Sequence, residues 1–279
     1  MDFNTEKVIK AALYEDVAYG DITSEICVPA DRRAHGHFVA KADGVICGAG
    51  ILCNTFRIVD SGINISLNVE DGDKVKKGDV IAEISGPARS ILTGERTALN
   101  FIQHLSGVAT KTLEAVQSVK GFDVRITDTR KTTPGLRTLE KYAVRVGGGT
   151  NHRFGLSDGI LIKDNHIAAA GGIIPAVKAA KRHAPHTLKI EVETSSLSEV
   201  EEALEAGADI IMLDNMTAAQ MKEAVKKIGR RAVTEASGNM GEKDLRSVAA
   251  AGVDVISIGA LTHSAPALDI SLKFTVDNI

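Results

Sequence analysis

A regular alternation of short apolar segments and amphipathic segments after Gly121 constrains the fold more than any other feature. The apolar segments predict six strands: FDVRIT, GILIK, LKIEVE, DIIMLD, AVTEAS and VDVISIG. The amphipathic segments predict helices: LRTLEKYAVRV, AAAGGIIPAVKAAKRH, SLSEVEEALEAG, TAAQMKEAVKKIG and EKDLRSVAAAG. Strands that alternate with helices over short connections are typical of parallel βα units. Six units favour a closed or nearly closed α/β barrel, and an open doubly wound sheet is the alternative.

The chain before about residue 105 has a different texture. Strand-like segments, AHGHFVAKADGVICGAG and INISLNVEDGDKVKKGDVIAEISG, are interrupted by Gly and Asp as in an antiparallel sheet. Two helices are predicted, TEKVIKAALYEDV at the start and ERTALNFIQHLSGVATKTLEAVQSVK as a bridge to the barrel. The final LDISLKFTVDNI alternates apolar and polar residues, as a half-buried strand does. We therefore predict an N-terminal α/β domain over residues 1–105, joined by a strand at 268–279, and a barrel catalytic domain over 106–267.

Composition excludes several classes of protein. The 279 residues are 44% hydrophobic and 25% charged, as in ordinary globular proteins. A net charge of −3 and the absence of Trp argue against a nucleic-acid binder. No apolar run is long enough to span a membrane, and the acidic start does not resemble a signal peptide. The three cysteines lack metal-ligand spacing, so we expect a reduced protein of the cytoplasm.

The first two strand ends of the barrel are strongly cationic. Thr129, Arg130 and Lys131 follow the first strand, and Lys163 follows the second. Parallel βα folds place their sites at these ends, because loops and helix N-termini converge there. A single strand-end lysine is more often solvated than functional. Three cations on adjacent strand ends would repel one another unless an anion offset them, so they predict one wall of an anion site.

The glycine-rich loop GGGTNHRFGLSDG, at residues 147–159, lies between those two strands. Its glycines permit close backbone approach and lead into His152 and Arg153. A planar guanidinium suits bidentate recognition of carboxylate or phosphate. We interpret the loop as a further part of the anion site, and the alternative is a mobile surface loop.

Small-residue turns follow the last two strands, where barrels commonly bind phosphate through backbone N–H groups and a helix N-terminus. These turns contain Ser237, Gly238, Asn239, Ile258, Gly259 and Ala260. Glu193 and Asp214 end the third and fourth strands. Each carboxylate could bind Mg²⁺, accept hydrogen bonds from ribose hydroxyls, or stabilise positive charge on a sugar carbon. Either one alone could simply cap a helix. The residues together predict an enzyme that joins a phosphorylated sugar to a small polyanion.

Several longer motifs cover nearly the whole chain in one order: EDVAYGDIT, GERTALNFIQHLSGVAT, DTRKTTPGLR, GGGTNHRFGLSDGILIKDNH, EVE, IMLDN, EASGN and VDVISIGALTHS. In these motifs the chain resembles the quinolinate phosphoribosyltransferase family. The resemblance implies transfer of phosphoribosyl from phosphoribosyl pyrophosphate to quinolinate with decarboxylation, in NAD biosynthesis. It also implies Mg²⁺, an N-terminal α/β sandwich with an incomplete barrel of about six parallel strands, and a homodimer in which one subunit's sandwich covers its partner's barrel mouth.

The resemblance also implies roles for individual residues. Arg130, Arg153 and Lys163, with His152 nearby, would hold the two quinolinate carboxylates. Lys131 would lie between quinolinate and pyrophosphate. Glu193 and Asp214 would contact ribose hydroxyls or the metal, in part through water or substrate, and Thr129 is a further substrate contact. Arg96 would reach in from the partner subunit. The phosphate would bind at Ser237, Gly238, Asn239, Ile258, Gly259 and Ala260, although some relatives have Gly at the position of Asn239.

Three alternatives stay open. One is an aldolase-like barrel in which Lys163 forms a Schiff base with a keto substrate. Another is a related phosphoribosyltransferase that acts on nicotinate or a different anionic ring. A third arises because NVEDGDKVKKGDVIAEISG resembles half of a biotinyl or lipoyl carrier domain. The segment has no lysine-bearing hairpin of that type, which argues against a carrier function.

Overall fold

A computed structural model describes residues 3–276. Residues 1, 2 and 277–279, which the predicted domain ranges include, lie outside the described residues. Its strands are β1 (Arg33–Ala40), β2 (Gly44–Val45), β3 (Asn64–Leu67), β4 (Lys74–Val75), β5 (Val80–Pro87), β6 (Arg125–Thr127), β7 (Ile160–Ile162), β8 (Ile190–Thr194), β9 (Ile210–Asp214), β10 (Val233–Ser237), β11 (Val255–Ser257) and β12 (Ile270–Val276). Its helices are α1 (Phe3–Val17), α2 (Ile22–Cys27), α3 (Ala49–Val59), α4 (Ala88–Ser118), α5 (Arg137–Val146), α6 (Asp164–Ala170), α7 (Ile173–His183), α8 (Leu197–Ala206), α9 (Ala218–Ile228), α10 (Leu245–Ala250) and α11 (Ala260–His263).

Two compact units divide the chain. The first comprises the described residues of 1–113, 133–148 and 265–279, and the second comprises 114–132 and 149–264. The range 106–267 that was predicted for the barrel domain includes α5, which this division assigns to the first unit. Glu140 of α5 accepts a hydrogen bond from His104 at 2.8 Å, and Tyr142 donates to Asp71 at 2.8 Å. These side chains attach α5 to α4 and to the turn that precedes β4.

An antiparallel sheet in the order β12-β1-β5-β3 forms the first unit. The last strand, β12, pairs with β1 from Ala34 opposite Val276 to Ala40 opposite Ile270. Side chains of β1, β5, α3 and α4 share one core, in which the rings of Phe38 and Phe56 lie 6.0 Å apart. Burial of each such side chain contributes about 1.5–3 kcal/mol. The core therefore joins the sheet to its helices as an α/β sandwich.

A parallel six-stranded sheet in the order β6-β11-β10-β9-β8-β7 forms the second unit. All six predicted strands are present, and the prediction of an incomplete barrel is confirmed. The first and second strands, β6 and β7, stand at opposite ends of this order. Thr127 at the end of β6 instead forms a bridge with Thr150.

Two helical predictions differ from the structure. AAAGGIIPAVKAAKRH was expected to be one helix, but α6 ends at Ala170 and α7 begins at Ile173. Gly171 and Gly172 separate them at φ +82° and +135°, angles that other residues rarely adopt. Helix α3 was not predicted, although Ile51, Leu52 and Phe56 form its buried face. None of the helices among residues 3–276 is long and apolar enough to cross a bilayer.

Candidate active site

A cavity of about 440 Å³ opens at the carboxyl ends of the parallel strands in the second unit. Most of the predicted site residues share it. They are Thr129, Arg130, Lys131, His152, Arg153, Lys163, Glu193, Asp214, Ser237, Gly238 and Asn239. Leu161, Met212, Asn215, Glu235 and Ser257 complete the lining. The structure therefore gathers a cationic wall (Arg130, Arg153 and Lys163), three acidic side chains and a small-residue turn around one space.

The two cationic strand ends meet in a way that was not expected. Arg130 and Lys163 were placed on adjacent strand ends, but β6 and β7 are not paired with each other. They are the two edges of the sheet. Both residues nevertheless line the same cavity, so the sheet must curl until its edges approach. The cations at the two edges of the sheet therefore face one cavity.

Arg153 is held by its own loop. Its guanidinium Nη1 donates to the carbonyl oxygen of Gly159 at 2.8 Å, and its backbone N–H donates to Nδ1 of His152 at 2.8 Å. Partial burial lowers the pKa of Arg153, and the nearby positive charge of Arg130 lowers it further. A guanidinium under both influences gains from a bound anion, because the anion offsets the repulsion.

Asp128 anchors the start of the same loop from the end of β6. Its carboxylate is fully buried and accepts hydrogen bonds from the backbone N–H of His152 at 2.9 Å and from Asn151 at 2.5 Å. These bonds make a mobile surface loop a poor description of residues 151–153. The loop is part of the cavity wall.

Glu193 forms an ion pair with Lys163 across the ends of β8 and β7. The side chain of Lys163 is 45% exposed and that of Glu193 is 15% exposed. Glu193 does not cap a helix, because Ser196 caps α8. Asp214 does not cap one either, because Thr217 caps α9. The carboxylate of Asp214 accepts a hydrogen bond from Asn215 at 2.7 Å. Both carboxylates therefore face the cavity for a reason other than helix capping.

The turn after β10 has little room for side chains. Gly238 has φ +91°, and a Cβ there would stand 2.3 Å from Oδ1 of Asn215. Asn215 in turn donates its backbone N–H to the carbonyl oxygen of Ser237 at 3.1 Å. Only glycine lets the two strand ends lie this close. The result is a compact turn with exposed backbone, suited to a phosphate group.

The turn after β11 lies beside Lys131. A Cβ on Gly259 would be 3.0 Å from Cδ of Lys131, and Thr262 donates to the carbonyl oxygen of Lys131 at 2.7 Å. Ile258 does not fit the predicted phosphate contact, because its side chain is buried and its N–H donates to Thr127 at 2.9 Å. Ile258, Gly259 and Ala260 are not among the residues that line the cavity.

Arg96 belongs to the first unit, where it lies exposed on α4. It lines a separate cavity of about 480 Å³, together with His104, Thr133 and residues of α1. The predicted role of Arg96 in a partner's site stays a prediction.

Two buried glutamates below the cationic wall were not predicted. Glu191 of β8 and Glu235 of β10 are 5% and 4% exposed. Nε2 of His152 lies 3.2 Å from Glu191 Oε2 and 3.7 Å from Glu235 Oε1. Burial raises the pKa of Glu235, and the charge of Glu191 raises it further. The signal was present in the sequence: every second strand residue shares a face, so Glu193 and Ser237 predict Glu191 and Glu235.

The acidic residues offer two places for a cation. Within residues 3–276, the single group of three or more His, Cys, Asp or Glu side chains that could hold an ion is His152, Glu191 and Glu235. Glu193 and Asp214 supply two carboxylates that line the cavity. Mg²⁺ commonly binds one or two carboxylates and completes its shell from substrate phosphates and water. Glu193 and Asp214 therefore fit Mg²⁺ that arrives with a phosphorylated substrate.

Comparison with known proteins gives one consistent result. The family models for the N-terminal and C-terminal domains of quinolinate phosphoribosyl transferase match residues 21–106 and 108–273. A relative in Bacillus subtilis strain 168, named a probable carboxylating nicotinate-nucleotide pyrophosphorylase, is 46% identical over 98% of this chain and 94% of its own. The crystal structure of NadC from Streptococcus pyogenes is 43% identical, with a TM-score of 0.92 over 100% of this chain and 99% of its own. The nicotinate-nucleotide pyrophosphorylase structure from Ehrlichia chaffeensis is 38% identical, with a TM-score of 0.94 and 99% coverage of both chains.

Proposed function

The chain belongs to the quinolinate phosphoribosyltransferase family, and from this membership we propose how each part of its cavity serves the reaction. The enzyme is a pentosyltransferase, a carboxylating nicotinate-nucleotide pyrophosphorylase. It transfers phosphoribosyl from phosphoribosyl pyrophosphate to quinolinate and releases pyrophosphate and carbon dioxide, which leaves nicotinate mononucleotide for NAD biosynthesis. The observation that carries the residue roles is the shared cavity, in which four cationic side chains face the carboxylates of Glu193 and Asp214 and a glycine turn.

Quinolinate binds at the cationic wall of Arg130, Arg153 and Lys163, with His152 and Thr129 beside it. Its two carboxylates offset the repulsion among these cations, which is the physical reason for the specificity. The strongest contacts go to the carboxylate that the product retains. A tight hold on the departing carboxylate would oppose its loss as neutral carbon dioxide.

The phosphorylated sugar binds on the opposite side of the cavity. Backbone groups of Ser237, Gly238 and Asn239 hold the phosphate, with Gly259 and Ala260 of the next turn beyond. Lys131 lies against Gly259 and lines the cavity, so it can contact both the phosphate side and the junction with quinolinate.

Glu193 and Asp214 act where positive charge develops. Attack by the pyridine nitrogen on the anomeric carbon passes through an oxocarbenium-like state, which the two carboxylates stabilise electrostatically. They also accept hydrogen bonds from ribose hydroxyls. Glu193 and Asp214 would also hold Mg²⁺, which when bound would supply positive charge to offset that of the pyrophosphate. Ribosylation makes the ring nitrogen cationic, which stabilises the electron pair left by decarboxylation.

The enzyme acts as a homodimer, and Arg96 of each subunit completes the partner's site. This assembly, any higher oligomer and the cytoplasmic location are supported by the resemblance of the sequence motifs to the family. Arg96 is exposed on α4, so its guanidinium is available to another subunit.

A Schiff-base aldolase is not favoured. Lys163 forms an ion pair with Glu193, and a charged ammonium is not a nucleophile. Its side chain is also 45% exposed, in contrast to the desolvated environment that Schiff-base lysines use.

The test is an assay of the purified chain with quinolinate, phosphoribosyl pyrophosphate and Mg²⁺. We expect nicotinate mononucleotide and carbon dioxide in equal amounts. The reaction should require Mg²⁺, so a chelator should abolish it. Nicotinate replaces quinolinate in a parallel reaction. If quinolinate is inert while nicotinate reacts without release of carbon dioxide, the alternative phosphoribosyltransferase is correct.

A further inference from the structure

Decarboxylation requires a proton donor, and the proposed function assigns that role to no residue. When carbon dioxide leaves, the carbon–carbon bond breaks and its electron pair stays on the ring carbon beside the nitrogen. That carbon must gain a proton to give nicotinate mononucleotide. At this stage the cavity holds a nucleotide and pyrophosphate. In the proposed function the cations of its wall pair with these anions, and a neutral carboxyl group is a stronger acid than an ammonium or guanidinium group.

Glu235 is placed to meet this need. It lies within β10, is 4% exposed, and lines the substrate cavity together with His152 and Arg153. Its Oε1 has no hydrogen-bond partner among the described residues. A buried carboxyl oxygen with no donor is unfavourable as an anion, so the group is stabilised when it carries a proton.

The neighbours of Glu235 favour the protonated form on balance. The carboxylate of Glu191 on β8 faces it and repels a second negative charge. His152, the hydroxyl of Ser257 on β11 and the charge of Lys163 act in the other direction. Burial is the largest influence, and the pKa of Glu235 rises to about 7. At neutral pH such a carboxyl group can act as a general acid.

The hydrogen bond at Nδ1 of His152 determines which of its ring nitrogens carries the proton. Its Nδ1 accepts the N–H of Arg153, so the ring proton is on Nε2, the atom that faces Glu191 and Glu235. A histidine that binds a metal through one ring nitrogen usually donates the N–H of the other nitrogen. In His152 that other nitrogen, Nδ1, accepts a hydrogen bond, so Nε2 carries the proton and is not free to bind a cation. His152, Glu191 and Glu235 therefore fit a proton-holding cluster better than a cation site.

A second cavity reaches the same cluster from elsewhere in the barrel. It has a volume of about 320 Å³ and shares His152, Arg153 and Glu235 with the substrate cavity. Its remaining lining includes Thr187 and Lys189, which precede β8, and Asp158 and Gly159, which precede β7. Glu235 thus lies between the substrate cavity and a space at the other ends of these strands.

We propose that Glu235 is the acid that protonates the ring carbon after decarboxylation, and that the second cavity returns a proton to it from solvent. The proposal rests on the proposed function. The proton passes from the Glu235 carboxyl group to the ring carbon, and Glu235 becomes a carboxylate. A proton from water in the second cavity then restores the acid for the next turnover. His152 and Glu191 are positioning residues that set the state of Glu235.

The experiment measures single-turnover rates of nicotinate mononucleotide formation from about pH 5.5 to about pH 9, so that product release does not hide the step. The full-length protein is compared with Glu235→Gln, Glu191→Gln and the matched control Glu202→Gln, an exposed glutamate on α8. We expect the rate of the unmodified protein to fall as Glu235 loses its proton. Glu235→Gln should lower the rate at least about tenfold, with the KM for quinolinate unchanged, and abolish this basic limb. Glu191→Gln should move the limb to lower pH, because like-charge repulsion is removed. Glu202→Gln should change nothing.

Two results would overturn the assignment: a rate without a basic limb in the unmodified protein, or a Glu235→Gln variant within about twofold of it. If Glu235→Gln fails to fold or to bind quinolinate, Glu191→Gln decides, since an unmoved limb contradicts the proposal. Failure of the proposed function is distinct, because the unmodified protein would then form no nicotinate mononucleotide at any pH.

Discussion

Alternate residues of the same strand have different roles inside the barrel. In β8, Glu193 is at the carboxyl end and pairs with Lys163, whereas Glu191 lies two residues deeper and faces His152. In β10, Ser237 begins the glycine turn, whereas Glu235 lies two residues deeper. The strand period of two thus places one layer of side chains against the substrates and a second, acidic layer beneath them.

The cationic wall makes a direct prediction about affinity. Arg153→Ala and Lys163→Ala should each raise the KM for quinolinate or reduce turnover at least tenfold, about 1.4 kcal/mol, because each removes a charge that faces the dicarboxylate. Lys178→Ala, on the exposed side of α7, is the matched control and should have no effect. Steady-state kinetics with both substrates varied separates the two effects. Kinetics close to those of the unmodified protein in both variants would contradict the placement of quinolinate at this wall.

Glu235 also predicts how stability depends on pH. Its pKa rises from an ordinary value of 4.5 to about 7 in the folded protein, so the folded state holds this proton more tightly than the unfolded chain. The resulting stabilisation is complete below pH 4.5 and is lost as pH rises through about 7. Thermal unfolding of the unmodified protein and of Glu235→Gln, each at about pH 5 and about pH 8, measures it. The unmodified protein should lose more stability between the two pH values than the variant. Equal losses would mean that Glu235 is ionised in both states.

At the scale of elements, the sequence predicted what local periodicity determines. The six barrel strands and β12 were found because their apolar residues follow the period of a strand. Helix α3 was missed because its apolar face, with Leu52 and Phe56, follows a strand-like segment without a capping side chain at Gly48. The break between α6 and α7 was missed because two glycines can end a helix or be tolerated within one, and only their φ angles decide.

Close packing between α4 and the chain that enters β12 depends on one glycine. A Cβ on Gly107 would stand 2.1 Å from the carbonyl oxygen of Pro266, and Gln103 bonds the same segment at Leu268 and Ile270. Gly107→Ala should lower the unfolding midpoint despite alanine's higher helix propensity, because the backbone at Pro266 would have to move away from the added Cβ.

Gly50→Ala in α3 is the matched control. Nothing lies within 4 Å of its added Cβ, so we expect stabilisation by about 0.5–1 kcal/mol. Chemical denaturation measures both. The same sign of change in the two variants would contradict this account of the α4 contact.

For the molecule as a whole, the sequence predicted the site residues that directly follow strands. It did not predict features that depend on how distant segments pack together. Arg130 and Lys163 were identified as strand-end cations, but their approach across the open edges of the sheet depends on its curvature. Ile258 was included because SIGAL resembles a phosphate turn, and its N–H is used by Thr127 instead. The strand period places Glu235 on the same face as Ser237, but its raised pKa could not be predicted, because burial and the charge of Glu191 depend on residues distant in sequence.

The proposed exchange of Arg96 between subunits can be tested by mixing two inactive proteins. Arg96→Ala and Arg153→Ala should each lose most activity alone, the first because the partner's site lacks a cation and the second because its own site does. Random reassociation of equal amounts should restore roughly a quarter of the native sites, since half of the dimers are mixed and each contains one intact site. Activity measured before and after co-refolding detects this recovery. In the control, a chain that carries both substitutions is mixed with the unmodified protein. Its mixed dimers contain no intact site, so reassociation should lower the activity instead of restoring it. If mixing restores no activity while both variants still form dimers, Arg96 acts within its own subunit or not at all.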